Sequence, residues 1–252
     1  ECAPLLRIGL QSLHDQEHLL FFDMHHLISD GLSIDLMLRE LSDAYEGLVK
    51  APLKLQYQDY AVWQQHQGFQ KEEAFWLQEF SGDIPALQLL TDYQRPAVQS
   101  FAGDRVIKEI DEALKNQLQE LAANHHTTLY TVLLSAYYTL LAKYTGQKEF
   151  VVGTPAAGRV HTDLNDMIGM FVQTLALRSE VDPNGTMSQL IEQVKKKTMQ
   201  AFEHQQYPFE RLLEKLNVPR DFSRHPLFDT VFTLAPDHGA AQHIGDMLVE
   251  VE

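Results

Sequence analysis

Between residues 17 and 49 the hydrophobic pattern changes from a short apolar run to apolar positions at helical spacing. This change constrains the fold more than any other feature of the chain. Residues 17–22 form a short run rich in apolar and aromatic side chains, which is typical of a buried strand. Gly47 and Pro52 mark the end of a helix that is predicted from about residue 33 to 49. Within it, apolar residues recur at the spacing of one helical face, at Ile34, Met37, Leu38, Leu41, Tyr45 and Leu48. The pattern predicts a strand that turns directly into a helix.

Two histidines, an acid and a glycine lie at this turn, in the sequence His25-His26-Leu27-Ile28-Ser29-Asp30-Gly31, which we call the corner. Successive side chains of an extended segment point to opposite sides, so His25 and His26 are not expected to share one role or one metal ion. A positioned imidazole can take a proton from an amine or a hydroxyl near neutral pH. Asp30 stands where a helix N-cap belongs, and Gly31 permits a close backbone approach or a positive φ. The corner is the candidate catalytic site.

Composition excludes several classes of function. A net charge of −15 argues against a general nucleic-acid or anionic-membrane surface, because both need a basic excess. The single cysteine, Cys2, excludes an internal disulfide framework and a multi-cysteine metal cluster, which fits a reducing cytoplasm. No apolar run has transmembrane length. The chain begins at Glu1 and stops within a strand-like run at residues 247–252, so we expect both ends to have been cut from something larger.

The rest of the chain mixes strands and helices without strict βαβ alternation, which predicts a mixed α+β sandwich of the α/β class. Residues 81–100, with few periodic apolar positions, form a connector, and we place the boundary between two lobes there. Asp111 is expected to cap a helix, and residues 127–144 to form a buried central helix. The other predicted elements are a strand within residues 1–13 with a turn near residues 14–16 after it, strands at 105–110, 150–153, 171–178 and 230–234, and helices around 71–77, at 187–202 and at 208–216.

Five blocks, in the same order, resemble those of the condensation domains of non-ribosomal peptide synthetases and their chloramphenicol-acetyltransferase-like relatives. They lie at residues 24–33, 57–63, 168–175, 204–210 and 220–228. The chain departs from the family pattern at Gln173, where asparagine is usual, and lacks the Arg-His-Glu stretch expected before the histidines. The resemblance implies two chloramphenicol-acetyltransferase-like lobes. The N-terminal lobe, residues 1–90, would be incomplete, and the C-terminal lobe, residues 91–252, would lack its tail.

The resemblance also implies a reaction and its partners. An acceptor aminoacyl amine would attack a donor peptidyl thioester, each carried on the 4'-phosphopantetheine arm of a peptidyl carrier domain, beside an adenylation domain. The domain itself would bind no cofactor. Ester formation, epimerisation and carrier docking without chemistry are the alternatives. Epimerisation domains generally place a tryptophan soon after Asp-Gly, where this chain has Leu32-Ser33-Ile34.

Residue roles follow from the same resemblance. His26 would act as a base or only orient the amine, and the sequence leaves both open. Asp30 would be scaffolding, paired with an arginine of the other lobe, for which Arg159 is the first candidate and Arg178 the second. The backbone N–H of Gly31 would help stabilise the oxyanion. A role in the substrate tunnel or in structural support is expected for Gln173, His204 and Arg224.

Overall fold

The predicted strand-to-helix turn is present in the computed structural model, which describes residues 4–100, 102–218, 221–235, 242–244 and 247–249. Strands β1 (Leu6–His14) and β2 (Glu17–Met24) pair in antiparallel fashion, with Leu6 opposite Met24. Helix α1 (Gly31–Tyr45) follows the corner and begins at the N-cap Asp30. The predicted strand before β2, and the turn near residues 14–16, are therefore confirmed.

The remaining elements make this a mixed α/β fold, as predicted. They are α2 (Tyr57–Gln65), α3 (Gln70–Glu79), α4 (Glu112–Asn124), α5 (Leu129–Thr145), β3 (Glu149–Ala156), β4 (Gln173–Glu180), α6 (Met187–Glu203), α7 (Phe209–Leu216), β5 (Gln242–Ile244) and β6 (Met247–Val249). Strand β3 pairs with β4, and β5 pairs with β6, both in antiparallel fashion. Asp111 caps α4 by accepting a hydrogen bond from the backbone N–H of Leu114, as expected.

Contacts divide the chain into two units. Unit 1 comprises Glu1–Gly68, Ala157–Val172 and Pro236–Glu252, and unit 2 comprises Phe69–Ala156 and Gln173–Ala235. The lobes 1–90 and 91–252 stay a prediction, and the units differ from them in three places, one of which is that Pro236–Glu252 belong to unit 1. Helix α3 belongs to unit 2, because Trp76 is buried in the core of that unit. Residues 157–172 belong to unit 1 by their contacts.

Strand β2 is not buried among the described residues, which corrects the sequence expectation. Phe21 is 49% exposed, and Ile8 and Leu10 of the paired strand are 59% and 70% exposed. The reason is that, in the described part of the chain, β1 and β2 pair only with each other and no helix packs closely over this two-stranded sheet. An apolar run thus predicts a strand, but its burial depends on what packs against it.

The core of unit 2 lies around β3, β4 and the helices packed on them. Helix α5 begins at the N-cap Thr128 and ends at Gly146, whose positive φ of 70° forms a left-handed C-cap. Tyr138 is 1% exposed, but Leu140 and Tyr144 are 49% and 67% exposed. The expected helix is therefore present but is buried on one side only, because α4 and α6 pack against part of its circumference.

Of the strands predicted in unit 2, one is absent and another is reduced to a single bridge. Residues 105–110 alternate as a strand would, yet they form no regular element, and Val106 is 96% exposed. Alternation does not suffice, since a strand also needs a partner edge. Instead of a strand at 230–234, the structure has an isolated parallel bridge between Gly153 and Val231.

The connector at residues 81–100 contains no regular element, as predicted, and Arg178 holds its start. The guanidinium of Arg178 donates to the backbone carbonyls of Ser81 at 3.0 Å and Asp83 at 2.9 Å. It also donates to the carboxylate of Glu149 at 2.7 Å. Arg178 thus anchors the connector within unit 2 and is committed to Glu149, which leaves Arg159 as the candidate partner of Asp30.

Candidate functional site

The two histidines of the corner have different surroundings. The backbone N–H of His25 donates to the carbonyl of Leu5 at 2.8 Å, and its ring Nδ1 accepts from the backbone N–H of Leu27 at 3.1 Å. This second contact caps a 3-10 turn at His26–Ile28. His25 is half-buried, whereas His26 is exposed. His25 therefore shapes the turn that presents His26, in line with the expected division of roles.

Asp30 is buried and fully engaged, with a side chain that is 0% exposed. Its Oδ1 accepts hydrogen bonds from the backbone N–H of Ser33 at 2.8 Å and the Ser33 hydroxyl at 2.7 Å. Its Oδ2 accepts from the backbone N–H of Phe171 at 3.1 Å. Burial acts to raise the pKa of Asp30, but these hydrogen bonds and the charge of Arg159 outweigh it and lower the pKa below its usual value. The carboxylate therefore stays charged at neutral pH.

Arg159 is the partner of Asp30 in the structure. Its Nη2 lies 3.2 Å from Asp30 Oδ1, and its side chain is 4% exposed. Its Nη1 donates to the backbone carbonyls of Leu164 and Met167. The guanidinium also stacks over the Phe171 ring, 4.2 Å from its centroid. The pair that was predicted between two lobes is present, but both of its members lie in unit 1.

The segment Gly169-Met170-Phe171, which we call the clasp, is held by side chains distant in sequence. The Ser33 hydroxyl contacts both the N–H and the carbonyl of Gly169, at 3.1 and 2.9 Å. The Tyr57 hydroxyl donates to the carbonyl of Met170 at 2.7 Å, and Asp30 accepts from the N–H of Phe171. Burial, with the nearby charge of Asp30, raises the pKa of Tyr57, so its hydroxyl remains a neutral donor.

Sequence reasoning assigned no role to Ser33 or Tyr57. Both lie in blocks of the resemblance, Ser33 at the end of the first and Tyr57 at the start of the second. Their partners in the clasp are more than 100 residues away in the chain. Local spacing carries no signal for such contacts, whereas membership of the two blocks could have indicated these residues.

Replacing Gly169 by alanine is expected to destabilise the clasp. A Cβ at this position would overlap the Tyr57 ring, which is fixed by its hydroxyl bond and by its packing on Tyr60 and Phe171. Overpacking of this kind costs about 1–3 kcal/mol. Hydrogen exchange at the amides of the clasp measures the loss. The matched control is Gly9→Ala, where the nearest atom would be an ordinary contact 3.7 Å away; equal protection in both variants would contradict the prediction.

Gly31 is exposed and is the first residue of α1. Its φ is not positive, and a Cβ there would meet no atom of the described residues within 4 Å. Neither an internal close approach nor a left-handed backbone therefore explains this glycine. Its N–H belongs to the first turn of a helix, where backbone donors and the helix dipole favour an anion.

The other predicted site residues lie in unit 2 and mostly anchor loops. The His204 ring stacks on Phe75 at 4.2 Å between centroids, and its carbonyl accepts from the Trp76 indole at 2.9 Å. Arg224 donates to both carboxylate oxygens of Asp229 and to the carbonyl of Leu87. Gln173 is the half-buried first residue of β4, opposite Ala156. Arg178 anchors the connector.

A metal site and a membrane-spanning helix are both absent from the ranges that the structure describes. No group of three or more histidine, cysteine, aspartate or glutamate side chains there could hold a metal ion. No helix among those residues is long and apolar enough to cross a membrane.

Comparison with known proteins gives matches over nearly the whole chain. The family model described as Condensation domain matches residues 1–247. Surfactin synthase subunit 1 of Bacillus subtilis (strain 168) is 55% identical in an alignment that covers 99% of this chain and 7% of that protein. The chain thus spans a small part of the curated relative that it matches.

Solved structures give the same result. A four-domain nonribosomal peptide synthetase bound to AMP and glycine matches with a TM-score of 0.82 and 30% identity, over 91% of this chain and 18% of that one. The X-domain from teicoplanin biosynthesis matches with a TM-score of 0.80 and 27% identity, over 90% of this chain and 54% of that one.

Proposed function

Because this chain belongs to the condensation-domain family, we propose that it forms an amide bond in non-ribosomal peptide biosynthesis. The acceptor amine attacks the carbonyl carbon of the donor thioester, the C–N bond forms and the C–S bond breaks. The sulfur leaves as the thiol of the donor phosphopantetheine arm, taking up the proton that the amine loses. The observation that carries the proposal is the corner, in which His26 is exposed beside a buried, fully bonded Asp30.

His26 is the residue proposed to contact the acceptor amine. As a base it would remove the amine proton in the transition state, which is worth about 10²–10⁴-fold in rate. An α-amino group has a pKa of about 8, so part of the acceptor is already neutral at physiological pH, and orientation by a hydrogen bond is the other route. Positioning two tethered reactants contributes strongly in either case.

Asp30 and Gly31 have supporting roles in this proposal. Asp30 accepts hydrogen bonds from two backbone N–H groups and from Arg159, lies 2.7 Å from the Ser33 hydroxyl and is shielded from solvent, so it serves the corner as scaffolding rather than as a proton carrier. The N–H of Gly31 at the start of α1 supports the negative charge of the tetrahedral intermediate. Donors aimed at a developing oxyanion are typically worth about 10²–10³-fold in rate.

The partners in this proposal are donor and acceptor peptidyl carrier domains and an adjacent adenylation domain. The 4'-phosphopantetheine arms belong to the carrier domains, and the chain needs no cofactor of its own. We place the reaction in the cytoplasm, in keeping with a chain of 252 residues that contains one cysteine.

Ester formation, epimerisation and carrier docking without chemistry are the alternatives, and no observation favours them. Leu32 follows Asp30 and Gly31 where epimerisation domains generally have a tryptophan. The complete corner argues against a domain that has lost its chemistry.

Product analysis on the full-length protein tests the proposal. With loaded donor and acceptor carriers, we expect an amide product whose acceptor residue keeps its configuration, and little product when a hydroxyl replaces the acceptor amine. Ester formation at a comparable rate, or inversion without condensation, would point to the other enzyme classes. Carrier binding without any turnover would support a docking domain.

A further inference from the structure

Ser33 lies where the corner meets the clasp, and its hydroxyl is within hydrogen-bond distance of four other groups. The residue is 0% exposed. Its hydroxyl lies 2.7 Å from Asp30 Oδ1 and 2.9 Å from the carbonyl of Gly169, which are acceptors. It also lies 3.0 Å from Arg159 Nη2 and 3.1 Å from the N–H of Gly169, which are donors.

These four contacts exceed what one hydroxyl can satisfy at once. A serine hydroxyl has one proton to donate and two lone pairs. Arg159 and the N–H of Gly169 fill the lone pairs, so Asp30 and the carbonyl of Gly169 share a single proton. The hydroxyl therefore joins the ion pair and the clasp in one network, and either arrangement of its proton leaves both segments attached.

The network reaches His26 through a short and constrained piece of backbone. Residues 26–28 form the 3-10 turn that His25 caps, and Ser29 is buried with 4% exposed before the chain reaches Asp30. The other end of the corner is held by the bond from the N–H of His25 to Leu5. A shift of Asp30 is therefore transmitted to the position of His26.

We propose that Ser33 is a positioning residue for amide formation, whose hydroxyl locks the corner to the clasp and so fixes His26 for the acceptor amine. The inference rests on the proposed function and adds to it a residue that does not touch the substrates. Misplacement of a reacting group by about 1 Å can cost about 10²-fold in rate. The loss is expected in kcat rather than in the KM for the loaded carriers, because no carrier-binding surface is changed.

Ser33→Ala in the full-length protein tests the inference. We expect kcat for amide formation to fall about ten- to hundredfold, with KM for both loaded carriers within about threefold of the original value. Ser33→Thr keeps the hydroxyl and is expected to restore most of the rate. The matched control is Ser135→Ala, which removes an equally buried helical hydroxyl that donates to the carbonyl of Thr131 at 2.7 Å in unit 2.

The outcomes separate positioning from general stability and from the proposed function. A folded Ser33→Ala variant with unchanged kcat overturns the inference, and so does a loss matched by Ser135→Ala or one that follows thermal stability across the set. If Ser33→Ala does not fold, Ser33→Cys is measured by the same criteria. The inference is also overturned if the Ser33 variants lose turnover only when they fail to fold. Absence of amide product from the unaltered protein would instead refute the proposed function.

Discussion

His26→Ala in the full-length protein is expected to lower the rate of amide formation by about 10²–10⁴-fold, the usual contribution of a positioned acid–base group. His26 is the exposed imidazole of the corner, and the ring of His25 is occupied by its contact with the N–H of Leu27. No other part of the corner offers a nitrogen base to the amine. The measurement is single-turnover transfer between loaded carrier proteins.

Two further variants sharpen this test. His26→Gln keeps a side chain that can hydrogen-bond the amine but cannot take its proton. A rate close to the original in His26→Gln would assign orientation, whereas a loss as large as that of His26→Ala would assign proton transfer. His14→Ala removes an exposed histidine of β1 outside the corner and serves as the control. Full turnover by His26→Ala would remove His26 from the mechanism.

Breaking the ion pair between Asp30 and Arg159 is expected to destabilise the corner and the clasp by about 3–5 kcal/mol, because it leaves one buried charge uncompensated. Both side chains are almost completely buried, at 0% and 4% exposed, so solvent screens the pair little. Asp30→Asn and Arg159→Met each remove one charge. Hydrogen exchange at the amides of Ser33 and Phe171, which donate to Asp30, reports the local free energy of opening.

The double variant and an exposed pair provide the controls. Asp30→Asn combined with Arg159→Met is expected to cost less than the sum of the single changes, since no unpaired charge remains. Arg7→Met breaks a pair between Arg7 and Asp23 in the same unit, with side chains 64% and 73% exposed. Such a pair is worth about 0–1 kcal/mol. Additive effects at Asp30 and Arg159, or equal effects at both pairs, would refute the prediction.

Local features of the corner could be predicted because they depend on neighbours in sequence. The apolar run, the N-cap at Asp30 and the helical spacing after it specify a strand, a turn and a helix through contacts within a few residues. The same holds for the cap at Asp111. The Arg159 partner came from resemblance to a family rather than from the spacing of the residues.

Other features could not be predicted because they depend on what lies opposite in space. Residues 105–110 have the alternation of a strand but no partner edge within the described chain, and β2 is exposed because no described helix packs closely over its sheet. Arg178 gave no local sign that it would bind Glu149 and hold the connector through the backbone carbonyls of Ser81 and Asp83. Strand pairing and side-chain burial depend on two segments that are distant in sequence, so the sequence of one segment does not determine them.

The sequence by itself determined the family, the mixed fold and the strand, turn and helix around the corner, because each depends on residue types and short spacings. The tertiary structure decided how the corner is held. It placed Arg159 and the clasp beside Asp30, and it put the Ser33 hydroxyl between them. These contacts join residues more than 100 positions apart, so they exist only once the chain has folded.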